Sequence, residues 1–150
     1  MRSSLRGVAA AAAAIWTMAV AAAPGRAQQD RCPDDDRLAM VEVTVDREAE
    51  TITVSPTRVE VFLDEEAGRP NRVCWNISGV PSGHTLRFFD KGSSTNLFPG
   101  LARTVRARRR SVDSGSPSQA GTWTYGVRVV NPSGGVVAQV DPEVIVKGSG

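Results

Sequence analysis

The stretch VCWNISGVPSGHTLRFFD, residues 73–90, is the part of the chain that best indicates its fold. Val73 and Trp75 alternate with their neighbours, as residues on one face of a strand do. The segment SGVPSG that follows is rich in glycine and proline and predicts a tight turn. An apolar run comes next, so the stretch predicts two strands joined by a turn. His84, the single histidine of the chain, lies where the turn meets the second strand.

Short strand patterns of the same kind continue along the rest of the chain. Apolar and polar residues alternate in LAMVEVTVD and in GTWTYGVRVV, and helical periodicity is confined to the first residues of the chain. About seven short strands at this spacing predict an all-β fold, a two-sheet antiparallel or mixed Greek-key β-sandwich. The predicted strand segments are 38–46, 51–66, 72–77, 84–89, 103–112, 121–130 and 136–150.

Two prolines interrupt this pattern. Pro56 falls inside the segment TITVSPTRVEV, and Pro142 follows Asp141 near the end of the chain. Proline has no backbone N–H to donate to a strand ladder, so it belongs at a sheet edge, a bulge or a strand crossing. We expect Pro56 at one of these three places, and a bulge or crossing at Asp141-Pro142.

Residues 1–27 have the features of a secretory signal peptide. Arg2 and Arg6 precede an alanine-rich apolar run, and small residues permit cleavage after Ala23 or Ala27. The alternative is a membrane anchor, but the run is short for a span of about 20 residues. We therefore predict a periplasmic or secreted protein whose mature chain has no membrane span.

Two cysteines, Cys32 and Cys74, remain in the mature chain. An oxidising compartment makes a disulfide the default, with two free thiols as the alternative. The bond would attach a polar leader, residues 28–37, to a core strand of the sandwich domain, residues 38–150. In the chain-entropy treatment a loop of this length restricts the unfolded chain by about 4 kcal/mol.

Charge is distributed unevenly along the mature chain. Residues 28–66 contain 12 acidic and 4 basic side chains, whereas residues 67–150 contain 4 acidic and 11 basic ones. The two halves either attract each other inside one fold or form a dipolar surface that favours oriented association.

Three segments together resemble the cupredoxins, the small blue-copper fold. They are VSPTRVEV, the opening stretch, and AGTWTYGVRVVNPSGGVVAQVDPEVIVK, and the resemblance extends from about residue 50 to residue 147. In that family a strand ending in an aromatic residue and an asparagine leads through a turn to a ligand histidine. Trp75, Asn76 and His84 match these positions. The resemblance thus implies a cupredoxin-like topology.

The other copper ligands of that family are missing. A blue-copper site needs two histidines and a cysteine, usually with a weak axial methionine. The resemblance places the cysteine near Val127, the second histidine near Val130 or Asn131, and the axial ligand within SGGVV. His84 therefore has no second histidine, and we predict a cupredoxin-like scaffold without a copper cofactor or electron transfer.

His84 then has two interpretations. It is a turn histidine that packs against Trp75 or hydrogen-bonds to the backbone of residues 79–83, or it contributes to an incomplete or shared metal site. The second interpretation would make the chain a periplasmic metal-handling protein, most simply for copper. The first is a structural role.

The densest basic run is RTVRARRRSV, residues 103–112. As one continuous strand it would direct three arginines to one face and two to the other. Guanidinium groups suit an acidic protein surface or another anionic ligand, whereas nucleic acid is not expected because aromatics are not interleaved. The alternative is a solvated edge strand, or arginines paired with the acidic segment 28–66. The candidate residues for the anionic-partner surface are Arg103, Arg106, Arg108 and Arg110.

Nothing in the chain indicates catalysis. Ser82 lies near His84, but the sequence offers no third group to orient the base and no oxyanion hole. We interpret the sequon Asn76-Ile77-Ser78 as a chance match. The sequence therefore predicts a non-catalytic binding or structural module, not an enzyme. Its partner, a protein or an anionic ligand, and its oligomeric state remain open.

Overall fold

The structure is a computed structural model that describes residues 31–48, 50–66, 68–91 and 96–148. The predicted signal peptide and the first residues of the leader lie outside this part of the chain. Within it, the regular elements are all β-strands. They are β1 (Leu38–Asp46), β2 (Thr51–Ser55), β3 (Arg58–Phe62), β4 (Arg72–Ser78), β5 (Thr85–Asp90), β6 (Thr104–Arg106), β7 (Ser111–Asp113), β8 (Gly121–Val130), β9 (Val136–Val140) and β10 (Glu143–Lys147).

The strands form two sheets. The first has the order β2-β1-β4-β7, and the second has the order β3-β10-β8-β5-β6 with β9 also paired to β8. Both sheets are mixed, because β1 runs parallel to β4 and β3 runs parallel to β10 while the remaining pairs are antiparallel. The predicted all-β, two-sheet sandwich is confirmed.

The described chain forms ten strands where we expected about seven, because three predicted segments supply two strands each. Pro56 separates β2, which pairs in the first sheet, from β3, which pairs in the second. Pro142 lies between β9 and β10, which pair with successive parts of β8. The carbonyl of Pro142 accepts a hydrogen bond from the Tyr125 N–H. Both prolines therefore stand where a strand ladder is interrupted, as predicted.

The third division corrects the prediction of one continuous strand over residues 103–112. β6 pairs with β5 in the second sheet, and β7 pairs with β4 in the first. The chain turns between them, and the Arg109 N–H donates to the Arg106 carbonyl. Since stacked sheets lie about 10 Å apart, a strand crossing that gap cannot keep one alternating row of side chains. Arg106, Arg108 and Arg110 therefore do not form the predicted row.

The core between the sheets is made of valines and a cluster of aromatic rings. Trp75, Phe88, Trp123 and Tyr125 are all buried. The Trp75 ring centroid lies 5.1 Å from that of Phe88, and Trp123 stacks on Tyr125 at 4.5 Å. The Trp75 Nε1–H donates to the Tyr125 hydroxyl at 2.9 Å, so the indole is paired although it is buried. Burial raises the pKa of the Tyr125 hydroxyl, which stays protonated.

Among the described residues, no helix has the length and apolar character needed to cross a membrane.

Candidate anion-binding surface at the arginine turn

Cys32 attaches the leader to the first sheet through a disulfide and a hydrogen bond. Cys32 and Cys74 form the predicted disulfide, with their Cα atoms 5.9 Å apart. The Cys32 N–H donates to Asn76 Oδ1 at 2.9 Å, and Asn76 Nδ2 donates to Glu42 Oε1 at 2.8 Å. Both ends of the Asn76 carboxamide are engaged, and a glycan on its nitrogen would disturb this arrangement. The interpretation of the sequon as a chance match agrees with this geometry.

Ion pairs connect the acidic first half of the mature chain to the basic second half. Lys147 Nζ of the basic half lies 2.6 Å from Glu60 Oε2 of the acidic half. The hydrogen bond from Lys147 is the main reason that the pKa of Glu60 is lowered. A longer pair joins Arg72 to the leader carboxylate of Asp35 at 3.9 Å. Part of the opposite charge is therefore compensated within the fold.

A set of four arginines does not take part in this compensation. They are exposed and lie at the end of β6 and in the crossing to β7. In the part of the chain that the structure describes, no carboxylate lies within ion-pair distance of any of their guanidinium groups. We call this set the arginine turn: Arg106, Arg108, Arg109 and Arg110.

Arg103, which the sequence placed in the same surface, has a different environment. Its Nη1 donates to Asp90 Oδ2 at 2.8 Å and its Nη2 to Asn96 Oδ1 at 2.9 Å. The other oxygen of Asp90 accepts a hydrogen bond of 2.6 Å from Trp123 Nε1. Arg103 thus pairs with the Asp90 carboxylate, which also accepts a hydrogen bond from the buried Trp123 indole. Unlike the arginine turn, Arg103 already has an anionic partner within the fold.

A cleft lies on each side of the arginine turn. One, of about 440 Å³, is lined by β6 and by Arg106, Arg108 and Arg109. The other, of about 390 Å³, lies over the end of β4, and Arg110 lines it together with Arg31 of the leader. Residues of the arginine turn therefore line two separate clefts.

The basic surface continues onto the outer face of the second sheet. Arg87 on β5 is exposed and stands directly opposite Arg128 on β8. The Arg128 guanidinium lies 4.8 Å from the ring centroid of Phe89, a cation–π contact. Phe89 in turn covers Gly126, where a side chain would collide with the ring. Arg87 therefore adds to the positive face, whereas Arg128 is partly engaged by the ring.

His84 lies in the turn between β4 and β5, directly before the first residue of β5. Its Nδ1 is 3.2 Å from the Ser82 carbonyl oxygen, and its backbone N–H donates to the Pro81 carbonyl. This is the contact with the 79–83 backbone that the sequence predicted. Ser82 meets the imidazole through its backbone carbonyl.

The surroundings of His84 do not assemble a metal site among the described residues, where no three metal-binding side chains come together. The imidazole borders a pocket of about 350 Å³. At the positions where the resemblance puts the remaining copper ligands, Val127 is buried in the core. Asn131 Oδ1 accepts hydrogen bonds from the backbone N–H groups of Ser133 and Gly135 and so closes the β8–β9 turn.

No protein-family model matches the chain, and no curated protein matches it. Solved structures that are similar to it include reduced rusticyanin, with 16% identity over 79% of this chain and 89% of rusticyanin, and a TM-score of 0.35. Rusticyanin from Thiobacillus ferrooxidans has 14% identity over 79% and 86% of the two chains, and a TM-score of 0.33.

Proposed function

We propose that this chain is an exported, non-catalytic binding module in which a cupredoxin-like sandwich, residues 38–150, presents the arginine turn to an acidic partner. One observation carries the proposal. Four exposed arginines lie within five residues, and none has a carboxylate partner in the described part of the chain. A charge concentration of this kind attracts anionic groups and speeds their association. Guanidinium groups also bind carboxylates with two parallel hydrogen bonds.

Export is supported by two features. Residues 1–27 match a secretory signal peptide, and Cys32 and Cys74 form a disulfide, a bond typical of oxidising compartments. The mature module would then meet its acidic partner in the periplasm or outside the cell.

Edge protection is the competing explanation of the arginine turn. β6 and β7 are three-residue strands at the edges of the two sheets, and charged residues on short edge strands prevent pairing with other chains. Glutamate prevents edge pairing as arginine does, since both carry a charge. Replacing arginine by glutamate therefore keeps edge protection and removes the attraction for acidic partners, so that charge reversal separates the two explanations.

The test is the affinity of the mature protein for a polyglutamate peptide at low salt. We expect the double variant Arg106→Glu, Arg108→Glu to bind at least about tenfold more weakly, a loss of ~1.4 kcal/mol. The matched control, Arg47→Glu with Arg58→Glu, has the same net charge but leaves the arginine turn intact, and should retain most of the affinity. Equal losses in the two variants would show that only net charge matters and would contradict the proposal.

A metal-handling role for His84 is the alternative that the sequence left open. The proposed function predicts that copper added to the purified protein binds weakly and without fixed stoichiometry. One-to-one binding of copper with submicromolar affinity that is lost in His84→Ala would favour the metal-handling role instead.

A further inference from the structure

We propose that the cleft over the end of β4 binds a single oxyanion group, a phosphate or a carboxylate, between Arg31 and Arg110, and that the disulfide holds one half of this site. The inference deepens the proposed function, on which it rests through Arg110 of the arginine turn. It adds a defined binding site for one anionic group, and it makes the affinity of that site depend on the redox state of Cys32.

The cleft is lined by two arginines from distant parts of the chain. Arg31 comes from the leader and Arg110 from the crossing between the sheets, and both line a space of about 390 Å³. Both side chains are exposed, and neither has a carboxylate within ion-pair distance among the residues described. Two arginines that line one cleft can both donate hydrogen bonds to the same oxyanion, and such charge-assisted hydrogen bonds are stronger than neutral ones.

The remaining polar groups of the cleft are compatible with one small anion. Asn76, Ser78 and Glu42 also line it. The Glu42 carboxylate accepts a hydrogen bond from Asn76 Nδ2, while the Ser78 hydroxyl lies 3.4 Å from the Thr44 hydroxyl. Two positive side chains against one negative leave an excess of one positive charge. This balance favours a ligand group with one or two negative charges over an extended polyanion.

The two arginines are held in place by different means. Arg31 precedes Cys32, which is fixed by the disulfide to Cys74 and by the hydrogen bond to Asn76. Arg110 is fixed by its own carbonyl, which accepts a hydrogen bond of 2.7 Å from the Ile77 N–H. Reduction of the disulfide removes the covalent one of the two contacts that hold Cys32, so it loosens the Arg31 side of the cleft and leaves the Arg110 side in position.

The test is a titration of the oxidised mature protein with inorganic phosphate and, separately, with acetate, with dissociation constants taken from the amide shifts of Ser78 and Gly79. We expect Arg31→Ala and Arg110→Ala each to weaken phosphate binding about tenfold, since each removes a charge-assisted contact. Arg108→Ala, the control on the other side of the turn, should change it less than about twofold. Tighter binding of phosphate than of acetate would identify a phosphate group as the preferred ligand.

The disulfide is tested by repeating the alanine substitutions in reduced protein and in the variant Cys32→Ser, Cys74→Ser, with circular dichroism as the check on folding. Arg31→Ala should then weaken binding less than it does in the oxidised protein, whereas Arg110→Ala should weaken binding as before. Equal effects of Arg31→Ala in oxidised and reduced protein would overturn the role of the disulfide. A loss of phosphate affinity in Arg108→Ala as large as that in Arg110→Ala would contradict the proposal that the anion binds in the cleft.

Failure of this inference and failure of the proposed function give different results. If the protein binds polyglutamate through the arginine turn but binds neither phosphate nor acetate at Ser78 and Gly79, the anion site in the cleft is refuted and the proposed function stands. If the protein binds phosphate in the cleft but substitution of Arg106 and Arg108 does not weaken polyglutamate binding, the proposed function is refuted and the anion site in the cleft stands.

Discussion

Reduction of the Cys32–Cys74 disulfide should remove a large part of the stability of this protein. The two residues are 42 positions apart in sequence. In the chain-entropy treatment, closing a loop of this length lowers the entropy of the unfolded chain by about 13 cal/mol/K, which corresponds to ~4 kcal/mol at 25 °C. Small domains have total stabilities of about 5–15 kcal/mol, so the expected loss is a substantial fraction.

Urea unfolding of the oxidised and reduced protein, followed by tryptophan fluorescence, measures this loss as a change in the free energy of unfolding. Reduction is the cleaner perturbation, because Cys74 is buried and its replacement would also disturb packing. The variant Cys32→Ala, which keeps the Cys74 thiol, serves as the second arm and should lose about as much stability as reduction does. A loss below about 1 kcal/mol in both arms would refute the assignment of a stabilising role to the cross-link.

Three further changes test the packing and the charge pairs of the fold. Tyr125→Phe removes the acceptor of the Trp75 Nε1–H and leaves a buried donor unpaired, so the free energy of unfolding should fall by about 1–3 kcal/mol in urea titrations; an unchanged value would show that the indole has another partner. Gly126→Ala should lower the melting temperature because its methyl group collides with the Phe89 ring, and Phe89→Ala in the same chain should restore part of the loss; no coupling between the two would contradict the contact. The pKa of Glu60 is held below its usual value of 4.5, so its stabilisation is present above that pH and disappears as pH falls through the lowered pKa. Stability curves of wild type and Glu60→Gln should therefore differ at neutral pH and converge in acid, and a constant difference at all pH values would argue against the pair.

The sequence predicted the sandwich because alternation is strong in segments such as LAMVEVTVD and GTWTYGVRVV, and these form β1 and β8. Two of the three strand divisions had a local signal, since Pro56 and Pro142 cannot donate to a ladder. The third had none. The crossing at Ala107–Arg110 contains neither glycine nor proline, and it is imposed by the pairing of β6 and β7 with different sheets.

The candidate surface was predicted in part. Arg106, Arg108 and Arg110 could be identified from the density of arginines alone, but their directions could not, because these depend on the crossing. Arg103 could not be separated from them, since its partner Asp90 lies across the sheet. Arg31 was missed because the position of the leader is determined by the disulfide and by Asn76. Its proximity to Cys32 in sequence was the available signal.

Mapping the binding of an acidic peptide by amide chemical shifts tests the central claim most directly. Polyglutamate added to the ¹⁵N-labelled mature protein should shift the amides of residues 104–110, and these shifts should weaken as salt is raised. Shifts concentrated instead around His84 and the β8–β9 turn, or no saturable shifts at low salt, would contradict the account.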